Sequence, residues 1–70
     1  MMPLTIANVG ETVIIKRITG NDEIRQHLAE LGFVPDTEVK VISKISGNVI
    51  VQVKDSRIAL DKSMAMRIMI

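Results

Sequence analysis

Only one stretch of this chain repeats its apolar residues at helical spacing. Ile24, His27, Leu28 and Leu31 fall at i, i+3, i+4 and i+7, one face of a short helix over about 22–31. Asn21 or Asp22 can cap its start, and Asp22 and Glu23 place acid where the helix dipole is positive. Gly32 follows where a left-handed residue is wanted, and Pro35 bars any continuation. Most of the remaining chain must therefore be strand or turn. Composition agrees: eleven Ile, eight Val and four Thr are β-branched, against four Leu.

From Thr37 the period changes to two. Val39, Val41 and Ser43 share one face and Glu38, Lys40 and Lys44 the other. Ser46-Gly47 suits a tight hairpin turn, and the return strand sends Val49, Val51 and Val53 inward with Asn48 and Gln52 outward. Lys54-Asp55-Ser56 makes a second turn, followed by a short strand of Arg57, Ile58, Ala59 and Leu60. Asp61 to Ala65 can form one helical turn and Met66 to Ile70 a closing strand. Ahead of the helix, Glu11 to Ile18 reads as a strand buried on both faces, with Val13, Ile14 and Ile15 in succession. Leu4, Ile6 and Val9 are expected to tuck under the barrel. The sum is a mainly β chain, a small five-stranded partly open barrel with one inserted helix, in a single domain over 1–70.

Several functions find no support. The formal charge of +1 is far from the basic footprint of a nucleic-acid binder. Phe33 is the sole aromatic, too little for a groove that stacks bases or proline-rich peptides. No stretch approaches the roughly 20 apolar residues of a membrane span, and no basic residue precedes Lys16 as a signal peptide would require. These features predict a cytoplasmic chain. There is no cysteine, and the single His27, with Glu23 and Glu30 nearby in sequence, lacks a second soft ligand, so no metal site is assigned. Met64, Met66 and Met69 are read as gap-filling residues or a contact surface rather than thioether ligands. With no base held beside a nucleophile and no glycine-rich phosphate loop, no catalytic residue or cofactor is assigned and the chain is not expected to be an enzyme.

Leu31-Gly32-Phe33-Val34-Pro35 is more informative. It can be a hydrophobic cap contact that seats the helix on the barrel, or an apolar patch offered to a partner. The site expected here is a partner contact of Phe33, Val34 and Pro35, rimmed by Arg25 and Gln26 on the helix. Met64 is a weaker candidate from the other end of the barrel.

In order and spacing, Leu28, Leu31-Gly32-Phe33 and Pro35 resemble the helix-to-strand signature of the FeoA family, the small ferrous iron transport accessory proteins. Val39, Val41, the Val49-Val51-Val53 strand, Ile58-Ala59-Leu60, Ala65 and Ile68 continue the match. The family usually has Gly after this Pro, whereas here Asp36 follows Pro35, placing a carboxylate beside the expected contact. The resemblance implies an SH3-like barrel with the helix inserted after the first strand. It also implies a bacterial cytosolic protein that binds and modulates a FeoB-type ferrous iron transporter through its cytosolic region, and so works at the inner face of the membrane. An edge strand alternating Val and Lys leaves weak self-association open. The C-terminal domain of iron-dependent repressors of the diphtheria toxin repressor type is similar too, which makes a metal-sensing or regulatory domain the alternative; seventy residues leave no room for the helix-turn-helix such repressors carry.

Overall fold

Val39, Val41, Val49, Val51 and Val53 alternate inward on two adjoining strands, and these five side chains form the centre of the core. A computed structural model describes residues 1–70. In chain order a 3-10 turn at Leu4–Ile6 is followed by β1 (Thr12–Ile14), β2 (Arg17–Ile18), α1 (Asp22–Glu30), β3 (Glu38–Ile45), β4 (Asn48–Val53), β5 (Ser56–Leu60), α2 (Lys62–Ala65) and β6 (Ile68–Met69). An antiparallel sheet in the order β1-β3-β4-β5 faces a two-stranded sheet of β2 and β6. Thirteen residues are buried, all of them apolar, among them Leu4, Ile15, Leu28, Phe33 and Ile68 from outside the large sheet.

The single first strand expected over Glu11 to Ile18 is two strands, giving six rather than five. Ile15 is where the chain changes sheets. Its N–H donates to the Thr37 carbonyl at 3.0 Å and its carbonyl accepts from Asp36 N–H at 2.8 Å, while the next N–H, on Lys16, turns to Met69. A strand that crosses a barrel corner does not bury both faces: Ile15 points fully into the core, and Ile14 is exposed. The lead-in differs in the same way. Leu4 is buried, but Ile6 and Val9 face outward, because the 3-10 turn at Leu4–Ile6 lets only one of its side chains reach the core.

A bulge revises β3. Val41 lies opposite Val51, but Ser43 lies opposite Ile50 and Lys44 opposite Val49, so Ile42 is an extra residue. One inserted residue reverses the alternation beyond it. Ser43 therefore leaves the face of Val39 and Val41, and Lys44 joins it, contrary to strict period two. Lys44 stays exposed, and its Nζ donates to the Thr5 carbonyl at 2.9 Å, holding the N-terminal segment to the sheet. The β3–β4 hairpin closes through Ser46 and Gly47, both at positive φ (51° and 86°), as a type I′ turn requires. The last predicted strand shortens to Ile68–Met69, which pairs with β2. The ends of the chain meet, with Met2 and Ile70 exchanging backbone hydrogen bonds of 3.0 and 2.7 Å.

Candidate functional site

α1 stands between β2 and β3, and its ends explain its position. The Asn21 side chain accepts from Ile24 N–H at 2.9 Å, satisfying one of the unpaired donors of the first turn. At the other end Gly32 N–H donates to the Ala29 carbonyl at 3.0 Å and Phe33 N–H to the Leu28 carbonyl at 2.9 Å. This is the Schellman arrangement, with Gly32 at φ 105° where a side chain would be strained. The chain then turns at Val34-Pro35-Asp36-Thr37, with Thr37 N–H reaching the Val34 carbonyl at 3.3 Å. Pro35 in second place and positive φ in third is the pattern of a type II turn, which favours Gly third. Asp36 fills that place at φ 71°. The substitution thus leaves the turn in place.

Between α1, β2 and this turn lies a groove of about 530 Å³. Arg25 and Gln26 line it from the helix, Val34 and Pro35 from the turn and Phe33 from its floor, so five of the six expected contact residues meet at one concavity. Phe33 is a correction. Its side chain is 0 % exposed, the largest fully buried one in the molecule, and it lies beneath the groove as part of the core. It seats the helix on the barrel and offers no exposed contact. The reason is local: the second residue beyond a Schellman cap packs back on the helix, here toward the equally buried Leu28. Val34, 38 % exposed, and Pro35 then stay at the surface. Met64 does not join them; it is half-buried and packs against the core from α2.

Lys16, just before β2, Arg17 and Ile18 from β2, and Asp22 and Ala29 from α1 complete the lining and were not foreseen. Adjacent basic residues at 16 and 17 were visible in the sequence, but only the sheet change at Ile15 carries them round to face the helix. Asp22 and Arg25, one turn apart, form an ion pair, the only one in the chain. His27 is exposed and does not sit in an apolar seam as its spacing suggested. No three His, Asp or Glu side chains stand close enough together to hold a metal ion, so Glu23, His27 and Glu30 do not converge. No buried side-chain polar atom lacks a partner.

A small antiparallel barrel with an all-apolar core and a capped inserted helix defines a domain of the SH3-like class. The chain belongs to the FeoA domain family, whose model matches residues 2–70. A Methanocaldococcus jannaschii protein bearing the name Fe(2+) transport protein A is 39 % identical over 70 residues, covering 100 % of this chain and 85 % of its own. The zinc-complexed FeoA of Stenotrophomonas maltophilia, a procaryotic SH3 domain protein, superposes with a TM-score of 0.85 at 31 % identity, over 99 % of this chain and 88 % of that one. IdeR of T. acidophilum shares the fold as well, with a TM-score of 0.84 at 29 % identity, over 96 % of this chain but 32 % of its own. The family is one of iron transport accessory proteins, not of enzymes. No helix here is long and apolar enough to cross a membrane.

Proposed function

We propose that this domain is a non-enzymatic accessory protein that docks on the cytosolic region of a FeoB-type ferrous iron transporter and modulates it. The observation that carries the reading is the groove in which Arg25 and Gln26 meet Val34 and Pro35. It is built on a helix capped at both ends and a turn fixed by Pro35, so little ordering is needed on binding. The kinship to a protein named for Fe(2+) transport, and to a FeoA considered as a ferrous iron transport activating factor, supports a transporter as the partner. The domain's family, one of transport accessory proteins, supports an effect on the transporter by contact.

The test is an amide-resolved NMR titration with the cytosolic region of the transporter from the same organism. Shifts concentrated at Arg25, Gln26 and Val34 to Asp36 are the expected result. Shifts confined to the opposite end of the barrel, around Met64, would move the docking surface there; none at high partner concentration would sink the reading.

The structural likeness to IdeR and to a manganese-dependent transcriptional repressor favours one second reading, a metal-sensing or regulatory domain. Anaerobic calorimetry decides it: tight Fe(II) binding by the isolated domain would support this alternative.

A further inference from the structure

The groove is not electrically neutral. Three of the chain's nine Lys and Arg line it, leaving six elsewhere, and one of its eight Asp and Glu lines it, leaving seven. A net charge of +2 is therefore gathered in this one concavity, while the rest of the molecule carries −1. Asp22 already neutralises Arg25. Lys16 and Arg17 remain, both exposed, and neither side chain has an ion pair or hydrogen bond within the protein. Asp36, the carboxylate next to Pro35 in the chain, does not line the groove and pairs with neither. Ile18, Val34 and Pro35 supply an apolar wall beside these two free cations.

From this we infer that the occupant of the groove is an acidic protein segment with an apolar anchor, its carboxylates set against Lys16 and Arg17 and its anchor against Val34 and Pro35. This rests on the docking reading above and specifies what the partner presents. Complementary charge at the edge of an apolar contact steers encounter and rejects wrong partners, and it leaves a salt-dependent signature. A phosphate backbone fits less well, because Asp22 stands in the groove and two free cations are few for a polyanion.

The double reversal Lys16→Glu with Arg17→Glu tests the inference, since both residues are exposed and outside the core. Binding of the transporter's cytosolic region is followed by NMR at 50 and 500 mM NaCl, with folding of the variant checked by its amide spectrum. Shifts that map to the groove, a loss of affinity of about tenfold or more on charge reversal, and a marked loss at high salt support an acidic occupant. Shifts that map to the groove but ignore both reversal and salt overturn it while leaving the docking reading intact. Absence of groove shifts overturns both. Vesicles of phosphatidylserine that shift the same residues as strongly as the protein partner would assign the groove to a lipid surface and overturn the inference in another way.

Discussion

The Phe33 N–H donates to the Leu28 carbonyl at 2.9 Å, and the side chains of both residues are fully buried in one core. This bond decides how the segment after the helix is divided. It turns the chain so that the ring of Phe33 goes inward, and Val34 and Pro35 then follow along the rim of the groove. The same short sequence that resembled a continuous apolar patch is thus half anchor and half surface.

Truncating the anchor should be costly. Phe33→Ala is expected to destabilise the domain by about 3–5 kcal/mol, since it removes the largest buried side chain and leaves a cavity under the helix. A domain of this length holds only about 4–10 kcal/mol in all, so the variant sits close to unfolding. Urea denaturation checks this, and Phe33→Leu should lose clearly less. A Phe33→Ala protein as stable as the wild type would contradict the buried placement.

The surface half should behave in the opposite way. Val34→Ser combined with Arg25→Ala is expected to leave stability within about 1 kcal/mol of the wild type, as both residues are exposed. Binding to the transporter's cytosolic region should weaken about tenfold, equivalent to about 1.4 kcal/mol. Isothermal calorimetry beside thermal unfolding separates the two effects.

Asp36 occupies the third position of the turn at φ 71°, a region that costs most L-residues about 1–2 kcal/mol and aspartate somewhat less. Asp36→Gly relieves that cost against a larger loss of chain entropy, so a net gain of up to about 1 kcal/mol is expected. In a domain of this size it corresponds to a rise in Tm of up to about 4–8 °C. Asp36→Val, β-branched and without a local hydrogen-bonding group, should lower Tm. Differential scanning calorimetry of the pair gives the sign directly.

Removing the helix cap should link stability to the groove. Asn21→Ala deletes the acceptor for Ile24 N–H and is expected to cost about 1 kcal/mol. Faster amide exchange should appear in the first turn of α1, next to Arg25 and Gln26. The corresponding change at the short second helix, Asp61→Ala, removes the bond to Met64 N–H at 2.8 Å and should leave exchange at the groove unchanged.

Much of the fold was legible without coordinates. The helix limits, the Ser46-Gly47 hairpin and the inward valines of β4 follow from periodicity and turn chemistry, which act over a few residues. The bulge at Ile42 was not legible, because Val41 and Ile42 are adjacent β-branched residues and either suits an inward position. Nor was the split of the first strand, since Val13-Ile14-Ile15 reads the same whether the strand stays in one sheet or crosses to another.

The sequence by itself determined a β-rich barrel with one capped helix, and its Leu31-Gly32-Phe33 and Pro35 segment resembles the signature of the iron transport accessory family. It also marked Arg25, Gln26, Val34 and Pro35 as neighbours, because they lie within one turn-and-helix unit. Which side of that unit faces water was a tertiary decision. Burial depends on what packs from distant parts of the chain, and Phe33 is inside because the barrel core, with Val39 and Val53 among its members, closes over it. The two unpaired cations of the groove, Lys16 and Arg17, come from the chain just beyond Ile15, and only the corner there brings them to it.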